Sequence, residues 1–275
     1  MQQIVTTPLS LPFALPEAKH PLMPGAEPFL YEAGPVGVLL VHGFTSSPYE
    51  MRGIASHLAD RGITAGGLLL AGHGTAHEDL QGKTWHDWYE SVSNALDVMR
   101  ERCDRVYLAG LSLGGALTLY TASQRGADLA GIVAMSAPIY VPTGVSSLLR
   151  GIKTQMPYLS KPYRDISDPD AHSNHVSYNF SPVDATASLI EFLGHVRLAL
   201  PRVHVPALVI YARQDHVVPS ISSHHIYSRL GSRDKRMIAL QRGFHIVTVD
   251  YDRERVYQAV HDFISAREAL PPASK

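Results

Sequence analysis

Short apolar runs alternate along the chain with longer segments in which apolar residues recur every three or four positions. Several runs are apolar at consecutive positions, which is typical of strands buried on both faces of a parallel sheet. We predict strands at 36–41, 63–70, 106–109, 131–135, 207–211 and 237–240. Because amphipathic helices are predicted between them, the sequence indicates right-handed crossovers and an α/β fold with an open, mainly parallel, doubly wound sheet.

The helix predicted after the first strand carries the clearest local signals. Ser47 stands at the N-cap position, Pro48 at the first helical position, and Glu50 where a capping box would place it. Apolar residues then follow at helical spacing, namely Met51, Ile54, Ala55 and Leu58. Further helices are predicted at 88–102, directly after Gly114, at 184–200, from about 219 and at 253–265.

This alternation stops between about residues 140 and 182, where Pro, Ser, Tyr and Asp become frequent. Such a stretch is too long for a plain loop in a compact domain. We predict a cap insertion at 141–183 with a short helix at 145–152, a core of 29–140 and 184–275, and an extended arm at 1–28. The apolar residues of the cap insertion either line a pocket or touch a lipid surface, or they pack the cap onto the core. They are Val145, Leu148, Leu149, Ile152, Met156 and Leu159.

Composition excludes several classes of protein. The 275 residues are 45% hydrophobic and 18% charged, with 24 basic and 25 acidic residues and a net charge of −1. This balance leaves no basic field that would hold nucleic acid or an anionic membrane. The single cysteine, Cys103, excludes an intramolecular disulfide.

The pairs His73/His77 and His172/His175 lack a third ligand at metal-site spacing. We therefore expect surface or hydrogen-bonded loop histidines there, and neither metal nor cofactor.

The N-terminal residues lack the basic segment of a signal peptide, and prolines interrupt every apolar stretch up to residue 28. No apolar run approaches the length that spans a bilayer. We expect a cytoplasmic protein that is a monomer or a weak homodimer.

Five residues, Gly110 to Gly114, carry the most specific chemical signal. Gly-Leu-Ser-Leu-Gly lies between the predicted strand at 106–109 and a helix, and this is the context of a nucleophile elbow. The serine must adopt a strained backbone conformation, and its small neighbours let the strand and the helix approach. The pattern alone is weak, since an ordinary glycine-rich turn can match it. Its position after a buried strand makes Ser112 the candidate nucleophile.

A serine hydroxyl needs a base, and the base is usually a histidine oriented by a carboxylate. In this class of sheet the order along the chain is Ser, acid, His. Asp215 and His245 each follow a predicted strand in that order. Alternatively, Asp215 caps the helix that follows it. The other histidines considered as bases are His216, His224, His225 and His261.

An oxyanion hole requires two N–H donors. One candidate is the amide of Leu113, directly after the nucleophile, and the other is the amide of Phe44, in the loop after the first strand. We expect His42 to hold that loop through its ring nitrogens, and Gly72-His73-Gly74 to stabilise a neighbouring loop.

Several motifs together resemble those of the α/β-hydrolase superfamily, and more narrowly the bacterial carboxylesterases and monoacylglycerol lipases. They are Leu-Leu-Val-His-Gly-Phe-Thr (39–45), Gly-His-Gly (72–74), Gly-Leu-Ser-Leu-Gly-Gly (110–115), Gln-Asp-His-Val-Val-Pro (214–219) and Gly-Phe-His (243–245). The resemblance covers about residues 25–138 and 184–265. It implies that Ser112, Asp215 and His245 are the family's catalytic triad and that Phe44 and Leu113 are its oxyanion donors. No glycerol-binding residue can be carried over, because 141–183 departs from the family pattern.

These features favour a serine carboxylic-ester hydrolase that acts through an acyl-enzyme on small to medium-chain monoesters, including monoacylglycerols. Transient contact of the cap insertion with a lipid surface is an additional expectation. The same triad could act on thioesters, amides or carbamates, or in acyl transfer. A non-catalytic small-molecule binding module on the same fold is the alternative from another class.

Overall fold

Seven strands form one central sheet in the computed structural model, which describes residues 12–140, 144–152, 154–161 and 164–268. In chain order the strands are β1 (Phe29–Tyr31), β2 (Val36–Val41), β3 (Thr64–Gly67), β4 (Arg105–Leu111), β5 (Gly131–Met135), β6 (Tyr158–Ser160), β7 (Phe180–Pro182), β8 (Ala207–Ala212) and β9 (Lys235–Leu240). The sheet has the order β1-β3-β2-β4-β5-β8-β9. β1 is antiparallel to β3, and every other neighbouring pair is parallel. The predicted mainly parallel sheet is confirmed.

Helices cover both faces of the sheet, as a doubly wound fold requires. They are α1 (Arg52–Ala59), α2 (Trp85–Arg102), α3 (Leu113–Arg125), α4 (Val145–Ile152), α5 (Pro169–Asn174), α6 (Val183–Ala199), α7 (Ile221–Arg229) and α8 (Arg253–Glu268). Short 3-10 turns occupy Pro48–Met51, His77–Leu80, Gly126–Asp128 and Leu200–Arg202. α1 and α8 contribute to the apolar cluster on one face, whereas α2, α3 and α6 contribute to the cluster on the other.

β2 shows why consecutive apolar residues predict a central strand. Val38 and Leu40 enter the cluster beneath α1 and α8, whereas Leu39 and Val41 enter the opposite cluster. All four side chains are fully buried. Successive side chains of a strand point to opposite faces, so a strand covered on both sides must be apolar at every position.

The capping box predicted for Ser47 and Glu50 is wrong. The Ser47 hydroxyl donates to the carbonyl of Val176 instead of capping the helix. The Glu50 carboxylate accepts the amide N–H of Gly43, which belongs to the preceding loop. The first turn is consequently 3-10, and α1 begins at Arg52. The predicted apolar stripe is nevertheless correct, since Met51, Ile54, Ala55 and Leu58 are all fully buried.

The strand predicted at 63–70 is shorter in the structure. β3 ends at Gly67, because its pairing with β1 and β2 extends over four residues. Beyond that point the chain leaves the ladder, and the amide of Leu70 donates to Nε2 of His42. The apolar run continues because Leu68, Leu69 and Leu70 are buried without being in a strand.

The region of the predicted cap insertion joins β5 to α6 and carries α4, α5 and the antiparallel pair β6–β7. The helix at 145–152 was predicted, whereas the strand pair β6–β7 was not, because three-residue strands show no alternation. Leu149 packs with Val183 and Ala187, while Leu148 and Met156 remain 64% and 50% exposed. Residues 141–143, 153, 162 and 163 of the cap insertion lie outside the described residues.

The described part of the arm, residues 12–28, contains neither helix nor strand. Phe13 is nevertheless buried against the core, where a Cβ on Gly66 would lie 2.6 Å from its Cζ. The amide of Met23 donates to the carbonyl of Gly74. The predicted arm residues 1–11 and core residues 269–275 lie outside the described residues.

Candidate active site

Ser112 occupies the sharp turn between β4 and α3. Its φ of 55° and ψ of −116° fall where residues other than glycine are rarely found. A Cβ on Gly110 would lie 2.1 Å from the carbonyl oxygen of Gly114, and a Cβ on Gly114 would lie 2.1 Å from that of Val41. Neither position can hold a side chain, so the two glycines let the turn close around a strained serine.

His245 lies between Ser112 and Asp215. Its Nε2 is 3.0 Å from Oγ of Ser112, and its Nδ1 is 2.8 Å from Oδ2 of Asp215. An ionised carboxylate can only accept a hydrogen bond, so Nδ1 carries the ring hydrogen and Nε2 is free to accept the serine proton. The side chains of His245 and Asp215 are only 6% and 2% exposed. The structure thus brings together the three residues selected from the sequence.

The carboxylate of Asp215 makes a second set of contacts through its other oxygen. Oδ1 accepts the amides of Val217 and Val218 at 2.9 Å and 2.7 Å. These bonds close the turn after β8, whereas Ser220 occupies the N-cap position of α7. The suggested helix-capping role is therefore a turn-closing role, and it fixes the carboxylate that faces His245.

The other histidines considered as bases contact different groups. Nδ1 of His216 lies 2.8 Å from a carboxylate oxygen of Asp165. The remaining contacts join His224 to Ser220, His225 to Tyr140, and His261 to Asp262 and Ser265.

The loop after β2, residues 42–47, passes beside Ser112 and is called the β2 loop. A Cβ on Gly43 would lie 3.4 Å from Cβ of Ser112. The carbonyl of Gly43 accepts the amide of Ser46 at 3.2 Å and Nδ1 of His42 at 2.9 Å. In a trans peptide the N–H points opposite to the preceding carbonyl, so these bonds fix the direction of the Phe44 amide.

His42 holds the β2 loop through its ring nitrogens, as the sequence predicts, and also joins it to the segment after β3. Its Nε2 accepts the amide of Leu70 at 3.1 Å, so in the neutral ring Nδ1 is the donor to Gly43. Burial lowers the pKa of His42 and outweighs the opposing effects of Glu50 and the Gly43 carbonyl. The ring therefore remains neutral in this role.

The amide of Leu113 is the first of α3, a helix of 13 residues. The first amides of a helix lack partners within it and carry partial positive charge. Within the part of the chain that the structure describes, no protein acceptor is found for this amide or for that of Phe44. Both predicted donors thus lie close to the nucleophile candidate: Leu113 directly follows Ser112, and Phe44 follows Gly43, which lies beside Ser112.

Glu50 is a residue of this site that sequence reasoning misread. It is fully buried, and its Oε1 accepts the amide of Gly43 at 2.6 Å. Its Oε2 accepts the hydroxyl of Ser46 and lies 3.1 Å from Nε2 of His175. Burial raises the pKa of Glu50. The hydrogen bonds that it receives from His175 and the Ser46 hydroxyl, together with the charge of His175, outweigh this effect and lower the pKa to about 2. Glu50 is ionised at neutral pH.

The cap insertion also contacts the β2 loop at Thr45. Nζ of Lys161 donates to the Thr45 hydroxyl at 3.0 Å, and the amide of Tyr178 donates to the Thr45 carbonyl at 2.8 Å. Thr45 itself has a φ of 61°. Burial lowers the pKa of Lys161, although the charge of Glu50 opposes this effect. No local pattern in the sequence predicted these contacts.

The loop after β9, residues 241–252, carries His245 and is called the β9 loop. Carboxylates accept the amides of five consecutive residues of this loop. Oδ2 of Asp252 accepts those of Gln241, Arg242 and Gly243, Asp250 accepts that of Phe244, and Asp165 accepts that of His245. Asp165 belongs to the cap insertion and is 5% exposed. The position of His245 is therefore set by a backbone whose five successive amides are all held.

Among the described residues, no group of three His, Cys, Asp or Glu side chains is arranged to hold a metal ion. No helix in the described ranges combines the length and apolar character needed to cross a membrane.

Two curated relatives match nearly the whole chain. The chain is 35% identical over 248 residues to a thermostable monoacylglycerol lipase of Bacillus sp. (strain H-257), and this alignment covers 90% of the chain and 97% of the relative. It is 27% identical over 248 residues to a carboxylesterase of Bacillus subtilis (strain 168), with coverages of 86% and 96%.

Solved structures give the same fold. One, described with the metagenome-derived lipolytic enzymes LipS and LipT, has a TM-score of 0.85 and 34% identity, covering 90% of this chain and all of the other. The monoacylglycerol lipase of Paleococcus ferrophilus has a TM-score of 0.75 at 17% identity, with coverages of 87% and 98%, and so supports the fold alone. The model of the serine aminopeptidase S33 family, Hydrolase_4, matches residues 36–252. The chain belongs to this family and has the α/β-hydrolase fold.

Proposed function

We propose that Ser112, His245 and Asp215 are the nucleophile, base and acid with which this protein hydrolyses carboxylic esters, and that the amides of Phe44 and Leu113 bind the oxyanion. The observation that carries this proposal is the continuous hydrogen-bond chain from Ser112 through His245 to Asp215, with distances of 3.0 Å and 2.8 Å. Membership of the family and the two bacterial relatives support the reaction class. The chain is a hydrolase of the carboxylesterase and monoacylglycerol lipase type.

The reaction proceeds in two halves. Oγ of Ser112 attacks the ester carbonyl carbon while its proton moves to Nε2 of His245. Asp215 stabilises the imidazolium through Nδ1, and each oxyanion donor lowers the barrier by about 3 kcal/mol. The imidazolium then protonates the leaving alcohol, which departs and leaves an acyl-serine. Water, deprotonated by the same ring, attacks the acyl carbon and releases the acid and Ser112.

Small to medium-chain monoesters, including monoacylglycerols, are the substrates we propose. Leu148 and Met156 expose apolar surface on the cap insertion, and Phe180 is 43% exposed. Such side chains suit an acyl chain or a transient contact with a lipid surface. A cytoplasmic location and a monomeric or weakly dimeric state belong to the same proposal.

Replacing Ser112 by alanine tests the proposal. We expect kcat for a p-nitrophenyl ester to fall at least about a thousandfold, because the acyl-enzyme cannot form. Ser136→Ala is the matched control, since Ser136 also follows a strand, has a φ of 46° and has a buried hydroxyl without a partner among the described residues. Turnover by Ser112→Ala at a tenth of the wild-type rate would reject the assignment.

A substrate panel separates the ester reading from its alternatives. p-Nitrophenyl esters from C2 to C16, monoacylglycerols, triacylglycerols, thioesters and aminoacyl amides should be compared by kcat/KM. We expect medium-chain monoesters to rank first. A preference for C2 esters without monoacylglycerol turnover would remove the lipase part of the proposal, and a protein that a fluorophosphonate does not label would be a binding module.

A further inference from the structure

Glu50 and His175 form a buried pair that the mechanism above does not use. Glu50 is fully buried and His175 is 4% exposed, although they lie 125 residues apart in the chain. Glu50 belongs to the turn before α1, whereas His175 belongs to the cap insertion, directly after α5. An ionised carboxylate is buried at a high cost in free energy unless it is paired and hydrogen-bonded, so this position requires an explanation.

The carboxylate of Glu50 fixes the β2 loop at two points. One oxygen accepts the amide of Gly43 at 2.6 Å, and the other accepts the hydroxyl of Ser46. The amide of Ser46 donates in turn to the carbonyl of Gly43 at 3.2 Å. Both ends of Gly43 are thus held, its N–H directly and its carbonyl through Ser46. The next peptide N–H is that of Phe44, whose direction follows from that of the Gly43 carbonyl.

His175 brings the cap insertion into this arrangement. Its Nε2 lies 3.1 Å from Glu50 and 3.3 Å from the Ser46 hydroxyl, and its Nδ1 lies 3.2 Å from the hydroxyl of Ser177. Nearby, the Ser47 hydroxyl donates to the carbonyl of Val176 at 3.0 Å. The segment around His175 therefore lies along the β2 loop, and its one ring satisfies the second oxygen of Glu50.

We infer that Glu50 and His175 are positioning residues that hold the Gly43–Phe44 peptide in the orientation that binds the oxyanion. The oxyanion site is then complete only when the cap insertion is seated on the β2 loop. This inference rests on the proposed function, because it assigns a cause to the direction of the Phe44 amide. The effect is on the transition state, since the oxyanion develops only there.

Kinetics with a transition-state analogue test the inference. The variants are Glu50→Ala, Glu50→Gln, His175→Ala and His175→Gln, each assayed with p-nitrophenyl butyrate for kcat and KM. A trifluoromethyl ketone with the same acyl chain measures oxyanion binding, because it adds to a serine hydroxyl and places a negative oxygen in the hole. Asp234→Ala is the matched control, since it removes the partner of the buried guanidinium of Arg267. Asp234 precedes β9 and therefore lies at the amino ends of the parallel strands, whereas Ser112 lies at their carboxyl ends.

For Glu50→Ala we expect kcat to fall about a hundredfold while KM changes less than about threefold. The Ki of the ketone should rise by the factor by which kcat/KM falls. Glu50→Gln should lower kcat about tenfold, because one of its two acceptor oxygens and its charge are lost. His175→Ala should lower kcat by a similar factor, because Oε2 of Glu50 loses its ring donor. His175→Gln should remain within about threefold of wild type, since its amide can donate to Glu50 as the ring does. Asp234→Ala should lower the melting temperature without changing kcat or Ki.

A folded Glu50→Ala or His175→Ala variant with kcat within about threefold of wild type would overturn the inference. So would a loss of kcat/KM with an unchanged Ki of the ketone, because the residue would then act elsewhere. If Glu50→Ala does not fold, Glu50→Gln and His175→Ala decide by the same criteria, and His175→Gln should still stay within about threefold of wild type. Failure of the proposed function is distinguishable, since Ser112→Ala would then retain activity or the ketone would not inhibit the wild type. An inactive Ser112→Ala with wild-type-like Glu50 variants rejects the positioning role alone.

Discussion

The β2 loop and the β9 loop reach Ser112 from opposite sides, because β2 and β9 lie on opposite sides of β4 in the sheet. They are held in different ways. In the β9 loop, Asp250 and Asp252 accept four of the five consecutive amides that lead to His245. In the β2 loop, the carboxylate of Glu50 accepts the amide of Gly43 with one oxygen, and its other oxygen contacts the Ser46 hydroxyl and His175 of the cap insertion.

This difference indicates that the two halves of the site are positioned by different parts of the chain. His245, the proposed base, is positioned mainly by residues of its own loop, so the core of the fold suffices for most of its position. The amide of Phe44, the proposed oxyanion donor, depends on a contact between the core and the cap insertion. The cap insertion would therefore take part in stabilising the transition state.

The largest expected effect is that of removing Asp250, which is fully buried. Its two oxygens accept the amides of Ser167, Asp168, Phe244 and Tyr251. Asp250→Ala leaves these donors without an acceptor, and we expect the free energy of unfolding to fall by about 3 kcal/mol or more. Urea denaturation measures this change, and ester hydrolysis should be lost with it.

Asp262→Ala is the control for this variant, since Asp262 is 64% exposed on α8. We expect its free energy of unfolding to change by less than about 0.5 kcal/mol. If Asp250→Ala stays within about 1 kcal/mol of wild type, the β9 loop is not held by this carboxylate and the comparison between the loops fails.

The second effect is the pH dependence of the β2 loop. The pKa of Glu50 is lowered to about 2 in the folded protein from an ordinary 4.5, because its bonds and the charge of His175 outweigh the effect of burial. A depressed pKa stabilises the fold above the unfolded pKa, and this contribution is lost as the pH falls towards 2. Between about pH 6 and pH 3 we expect Glu50 to lose about 2 kcal/mol of its contribution.

Urea denaturation of the wild type and Glu50→Gln across this range measures that contribution. The difference between their free energies of unfolding should shrink as the pH falls, because glutamine does not titrate. A difference that stays constant down to about pH 3 would show that the ionised form of Glu50 is not favoured by the fold.

Sequence periodicity was sufficient for the elements that are buried on a regular face. Val38 to Val41 are buried on both sides of the sheet, and one face of the first helix is buried at helical spacing, namely Met51, Ile54, Ala55 and Leu58. The motif around Ser112 was informative for a similar reason, since Gly110 and Gly114 have no room for a side chain. Where burial or lack of space decides which residue a position can hold, that constraint is visible in the sequence.

The supporting residues of the site could not be found in this way. Glu50 follows Ser47 at the spacing of a capping box, so its local pattern indicated a helix start, although its partners lie in the β2 loop and the cap insertion. Asp165 and His175 act on backbone amides or carboxylates that are far away in the sequence. Such contacts depend on the folded path of two segments, and neither segment alone carries a signal.

Asp165 is the one contact of the cap insertion with the five amides that lead to His245, and its removal gives the smallest expected effect. Its Oδ2 accepts the amides of His216 and His245 at 3.0 Å and 3.2 Å, so it joins the turn that carries Asp215 to the base. Asp165→Ala frees one of the five held amides, and a small displacement of the ring weakens proton transfer. We expect kcat to fall about tenfold with little change in KM.

Asp170→Ala, on the exposed first turn of α5, should leave both parameters unchanged. If kcat for Asp165→Ala stays within about twofold of wild type, the β9 loop positions the base without the cap insertion, and the contrast with the β2 loop becomes sharper.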